Sequence, residues 1–187
     1  NLDTEWVENS RNFVNKFWQA TSFVVGNLDM EIAPGLPAAA ELDLPSKWIL
    51  TRLNKLIQSV QSLFDTYQFG EAGRQIRSFF WDEFAPWYIE ISKHPLYNGT
   101  EAEKEKTLRV LVHVIDTSMR LLHPFMPFVT EAIWQALPQA VKQGDLLVRL
   151  KNSDLDQEIM KIRGASFADQ KHLHSLYRRI EKSDDPA

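Results

Sequence analysis

Residues Pro45–Tyr67, PSKWILTRLNKLIQSVQSLFDTY, decide the fold class. Their apolar stripe is Trp48, Ile49, Leu53, Leu56, Ile57, Val60, Leu63 and Phe64. Steps of three and four residues line these up along one side of an α-helix, with the polar residues opposite. Asp43 precedes the run and suits an N-cap, because its carboxylate can accept from a first-turn N–H. Pro45 suits the first turn, where its missing N–H would have no helical partner anyway. A helix is therefore predicted over 45–67.

The same period extends outward. A first helix is predicted over Asp3–Leu28, with Asp3 as N-cap, followed by a loop, Glu31–Leu44, marked by Pro34, Gly35 and Pro37. After Tyr67, Gln68-Phe69-Gly70 reads as a short break. A third helix is predicted from Glu71 to about Lys93, with Ile76, Phe79, Phe80, Phe84, Trp87, Tyr88 and Ile91 turned inward, a kink at Pro86 and an end at His94-Pro95. Thr100-Glu-Ala-Glu103 is a capping box and opens a helix over Glu101–Leu122. Pro124 and Pro127 fix a turn before a last helix, Phe128–Leu137. The segment Leu121–Trp134 reads as structural, its aromatics packing. Asp145–Leu150 suits a short strand, and 154–182 suits exposed helices or a tail. The expected class is an all-α helix bundle over 1–143 with a short irregular or helical extension over 144–187.

The chain has 187 residues, with six Trp and eleven Phe to fill a core. It contains no Cys, which excludes a disulfide framework, a thiolate nucleophile and a sulfur-based zinc site. No apolar run approaches membrane-spanning length, and the N-terminus lacks the pattern of a signal peptide, so a cytoplasmic location without membrane contact is expected. The formal net charge of −4 argues mildly against nucleic acid. Its distribution argues the other way: Lys47, Arg52, Lys55, Arg74 and Arg77 face only Asp65 and Glu71 in the stretch 47–77.

Catalytic constellations are absent from the pattern. His94 and His123 each precede a Pro, His113 sits in an apolar run where a core role is expected, and His172 and His174 would point to different helix faces. The adjacent carboxylates Asp82 and Glu83 would diverge by about 100° on a helix, so solvation or capping is expected of them. Glycine-rich phosphate loops and metalloprotease signatures do not occur. No catalytic or metal site and no cofactor is predicted for this stretch; a binding module is.

The first helix carries the candidate binding residues. On a helical wheel Val7, Val14, Phe17, Val24, Val25 and Leu28 cluster, with Phe13 and Trp18 at the edges. Asn12, Lys16, Gln19 and Phe23 fall opposite. An aromatic on a polar face is a candidate platform for an unpaired base; the competing reading is that Phe23 covers a neighbouring loop. Asn12, Asn15 and Gln19 can pair with base edges, and Lys16 with a phosphate or carbonyl.

Several segments carry a family resemblance. Ser10-Arg-Asn-Phe-Val-Asn-Lys-Phe-Trp18, followed by Phe23-Val-Val25, resembles the opening of the anticodon-binding domain in class I aminoacyl-tRNA synthetases of the Val/Ile/Leu group. Lys47-Trp-Ile-Leu-Thr-Arg-Leu-Asn54 and Leu121-Leu-His-Pro-Phe-Met-Pro-Phe-Val-Thr-Glu-Ala-Ile-Trp134 fit the same pattern. Tyr67-Gln-Phe-Gly-Glu-Ala-Gly-Arg74 with Phe80-Trp-Asp-Glu-Phe-Ala-Pro-Trp-Tyr-Ile-Glu90 is similar to the valine branch. The resemblance covers about residues 8–138, in the family's order.

The resemblance implies a tRNA anticodon-binding module that positions a valine tRNA for ATP-dependent aminoacylation by other domains of a parent enzyme. ATP and Mg would serve those domains, whose signature motifs do not occur here. It also implies that the first helix faces the anticodon, with Lys16 and Phe23 foremost and Asn12, Asn15 and Gln19 in support. Ser22 stands where Arg is common and Gln19 where Asn is usual. The same domain of an isoleucine or leucine enzyme, or a helical scaffold for protein binding, are the alternative readings.

Overall fold

The computed structural model describes residues 4–136. The predicted N-cap Asp3, the strand over Asp145–Leu150, the helices over 154–182 and the 143/144 boundary lie outside these residues. Helix α1 spans Thr4–Gly26. A 3-10 turn, Ala39–Glu41, interrupts the following loop. Helix α2 is Leu44–Asp65 and α3 is Phe69–Ser78. A π-helical segment, Phe79–Tyr88, leads directly into α4, Ile89–Asn98. Helix α5 is Glu101–Leu122 and α6 is Pro127–Ala136. Every regular element among the described residues is helical, as expected of a bundle.

The predicted caps of α2 and α5 form. Asp43 accepts from the Ser46 N–H at 2.9 Å. At α5 the Glu103 N–H donates to Thr100 Oγ1 (3.3 Å) while the Thr100 N–H donates to Glu103 Oε2 (2.8 Å). Each cap satisfies first-turn donors that have no partner inside the helix.

Between α2 and α3 the break falls earlier than predicted. Tyr67 takes a left-handed conformation, φ 58°. Its N–H donates to Phe64 O at 3.0 Å, and the Gln68 N–H donates to Leu63 O at 2.7 Å. These two bonds are a Schellman ending, which uses the left-handed residue to satisfy the last carbonyls. Gly70 is left inside α3 and has no part in the break.

The third predicted helix is longer than the sequence suggested. It passes through both prolines and ends at Gly99. Pro86 lies where the backbone bonds five residues apart, as in Ile89 N–H to Phe84 O, so its ring sits in a widened turn. Pro95 deprives only the carbonyl of exposed Ile91, while buried Leu96 anchors the final turn. Gly99 is needed at the end, since a Cβ there would lie 2.5 Å from Pro95 O.

Burial along this long helix recurs every fourth residue: Ala72, Ile76, Phe80, Phe84, Tyr88, Ser92 and Leu96. An ideal α-helix drifts by about 40° at each such step. The wider π turns offset that drift and keep the row facing the core. Trp87 and Ile91, expected inward, are 62% and 43% exposed because they fall off the row.

Helix α5 is the centre of the bundle. Leu108, Val110, Leu111, Val114, Ile115, Met119, Leu121 and Leu122 are all buried, and it packs on α1, α2, α3, α4 and α6. Trp134 of α6 is fully buried, and His123 Nδ1 meets Thr130 Oγ1 at 2.8 Å across the α5–α6 turn. Phe125 lies against Phe64 and Gly73. Phe128 departs from the expected packing at 88% exposed, because it falls on the side of the first turn of α6 away from buried Thr130.

Candidate nucleic-acid interface

Helix α1 runs alongside the α3–π–α4 helix in the same direction, as the paired contacts show. Arg77 Nη2 donates to Asn9 O at 3.2 Å. Further along, Lys16 Nζ donates to Trp81 O at 2.9 Å and sits 4.1 Å from the centre of that indole ring. Further still, Lys93 Nζ lies 5.9 Å from the Phe23 ring centre.

The buried edge of α1 is Phe13, Phe17, Ala20, Thr21 and Val24. Phe17 and Phe80 are 4.5 Å apart between ring centres, and Phe13 also meets Phe80 and Trp81. The helix is therefore turned by about 60° from the orientation drawn on its valines. Large aromatic surfaces outweigh β-branched ones in burial energy, so the Phe residues set the angle.

This rotation separates the predicted site residues into two groups. Asn12, Asn15 and Gln19 lie on the exposed face with Arg11 and Ser22. Lys16 and Phe23 instead lie half-buried along the seam with the π segment and α4. Phe23 packs against the core. The Lys16 ammonium is pulled below the usual lysine range by desolvation, an effect that neighbouring Asp82 partly opposes.

The aromatic that the rotation brings out is Trp18, 46% exposed. It stands on the same face as Asn15 and Ser22. Its signal in the sequence was its place at the edge of the valine stripe. Centring the wheel on Phe13 and Phe17 would have put it outside. The exposed face thus offers amide donors and acceptors, one guanidinium and one indole surface. That set can hydrogen-bond and stack on unpaired bases.

The other chemistry-bearing groups have structural partners. Asp82 accepts from Ser78 Oγ at 2.7 Å, and Glu83 takes both arms of Arg52. His113 is partly buried on α5, and desolvation lowers its pKa. His172 and His174 lie outside the described residues. Among the described residues no group of His, Asp and Glu could hold a metal, and no helix is long and apolar enough to cross a membrane.

Comparison with known proteins adds to this geometry. Residues 46–179 match the family model described as the anticodon-binding domain of tRNA ligase. The match begins after α1 and runs past residue 143. A valine–tRNA ligase of Bacillus cereus is 52% identical over 134 residues, 72% of this chain and 15% of that protein. One from Bacillus licheniformis is 44% identical over 176 residues, 94% of this chain and 19% of that protein. The Bacillus subtilis enzyme is 51% identical over 134 residues. The Bacillus licheniformis alignment leaves too few residues aside to exclude α1. The chain spans less than a fifth of the length of these relatives.

Proposed function

Since the chain belongs to the family of anticodon-binding domains of tRNA ligases, we propose that it is the tRNA-binding module of a valine–tRNA ligase. In this reading it grips the anticodon loop of a valine tRNA. Domains beyond this stretch carry out ATP- and Mg-dependent aminoacylation in the cytoplasm. The valine assignment is supported by the relatives, all valine–tRNA ligases at 44–52% identity. The observation that carries RNA binding is the exposed face of α1: Arg11, Asn12, Asn15, Trp18 and Gln19.

Single-stranded loops are read by stacking and by hydrogen bonds to base edges. Trp18 supplies the first; Asn12, Asn15 and Gln19 supply the second. Lys16 and Phe23 form the margin of this surface. Lys16, bonded to Trp81 O, would meet a base carbonyl or phosphate only at the edge of the loop. The rigid seam beneath holds these side chains at fixed spacing.

Fluorescence anisotropy with a valine anticodon stem-loop, at two salt concentrations, tests the reading. Preference for the valine sequence over an unrelated loop, with affinity falling as salt rises, is expected. Equal affinity for both loops would remove anticodon reading, and no RNA binding at all would remove the module.

A further inference from the structure

A second surface lies apart from the exposed face of α1. A cavity of about 330 Å³ opens between α2 and the α3–π helix, lined by Arg52, Lys55, Ser59, Arg74, Ser78 and Glu83 among others. On α2, Arg52, Lys55 and Ser59 follow the spacing that shares one helix face. On the opposite wall Arg74 and Ser78 are one turn apart. Three cations thus line the cavity with Glu83, while Glu71 and Asp82, the partners of Arg74 and Ser78, lie beside it.

Both guanidinium groups are already paired with carboxylates. Arg52 gives Nε and Nη2 to Glu83 at 2.5 and 2.6 Å. Arg74 gives the same two atoms to Glu71 at 2.7 and 2.6 Å. Each fork leaves Nη1 uncommitted among the described residues. Lys55 forms no ion pair among the described residues. Ser59 and Ser78 hydroxyls, engaged with Gln75 and Asp82, complete the lining.

We infer that this cavity holds one phosphate group, gripped by Lys55 Nζ and the two Nη1 atoms. A tetrahedral, multiply charged oxyanion matches cationic donors lining one cavity. Under the function proposed above, the source is a backbone phosphate of the bound RNA. The walls connect the two surfaces. Arg77, next to Ser78, donates to Asn9 O of α1, and Asp82, the partner of Ser78, sits close enough to Lys16 to act on its charge. The cavity would then fix the strand that leaves the loop read by α1.

Two measurements on the whole chain test this. The first follows amide and arginine NMR signals during titration with inorganic phosphate. Saturable shifts are expected at Arg52, Lys55, Arg74 and Ser78, and Lys55→Ala abolishes them. The second measures the salt dependence of stem-loop binding. Lys55→Ala and Arg74→Gln should each lower affinity several-fold and flatten the log–log slope by roughly one unit. Lys47→Ala, outside the cavity, should leave the slope unchanged. Circular dichroism of both cavity variants verifies that they are folded. Absence of saturable shifts in the wild-type chain overturns the site. Phosphate shifts with an unaltered RNA slope overturn the RNA source and assign the cavity to a free phosphate compound. Wild-type failure to bind RNA, with phosphate shifts intact, removes the proposed function and leaves the phosphate site standing.

Discussion

Trp18 and Phe23 are the decisive pair for substitution, because structure and sequence rank them in opposite order. Trp18 is 46% exposed, whereas Phe23 is largely covered and packs against the core cluster. Removing an exposed side chain changes stability by about 0.5 kcal/mol or less. Trp18→Ala should therefore leave the unfolding midpoint almost in place. Stacking of one base on an aromatic contributes roughly 1–3 kcal/mol. Loss of the indole should then weaken stem-loop binding by roughly 5- to 150-fold. Phe23→Ala has a different signature. A fully buried Phe→Ala change costs about 3–5 kcal/mol, and the half-buried Phe23 should cost about 2 kcal/mol. That corresponds to a fall in Tm of roughly 5–10 °C for a bundle of this size. Paired thermal melts and anisotropy titrations on both variants separate the two effects. The reasoning is refuted if Trp18→Ala unfolds the bundle, or if it stays folded and binds as tightly as the parent chain.

Three further outcomes follow from the packing. Burial lowers the pKa of His113, so its unfolded form takes up a proton at higher pH than its folded form does. Its contribution is fully present above about pH 6.5 and is lost as pH falls through the lowered folded value. Urea midpoints should drop between about pH 7 and about pH 5.5, and His113→Gln should flatten that drop; a drop of equal size in the variant assigns it to other groups. Thr130→Val removes the 2.8 Å bond to His123 and should cost about 1–3 kcal/mol in chemical denaturation, with Thr130→Ser restoring most of it. A neutral valine variant would show that the bond adds nothing to stability. Gly70 and Gly99 should respond in opposite directions to alanine. Open space and a helical backbone surround Gly70, so Gly70→Ala should add roughly 0.5–1 kcal/mol. Gly99→Ala drives a Cβ against Pro95 O and should cost roughly 1–3 kcal/mol; equal shifts in both would contradict the backbone described at the end of α4.

Helix existence was legible wherever period and cap agreed. Helices α2 and α5 fall almost where Asp43 and the Thr100–Glu103 box place them, because these signals are local. Tertiary effects were not legible. Nothing near Tyr67 marks it as the left-handed residue of the α2 ending, since glycine is the usual occupant. The passage through Pro95 depends on Leu96 finding the core, which a local rule about proline does not contain. The candidate surface was half legible. Asn12, Lys16, Gln19 and Phe23 were placed on the exposed face, of which Asn12 and Gln19 are there; the rotation of α1 that covers the other two rests on Phe80 and Trp81, more than sixty residues away in sequence.

The row of buried residues at every fourth position makes the long helix less tolerant of changes in length than of substitution. Deleting one residue between 79 and 88 would turn everything downstream by about 100° about the axis. Tyr88, Ser92 and Leu96 would swing toward water together, and Lys93 would move away from Phe23. A replaced side chain leaves a local hole, whereas a lost residue shifts half the helix out of step with α5 and α1. Variation in this segment should therefore appear as exchange of side chains at constant spacing, with insertions and deletions confined to the loops on either side.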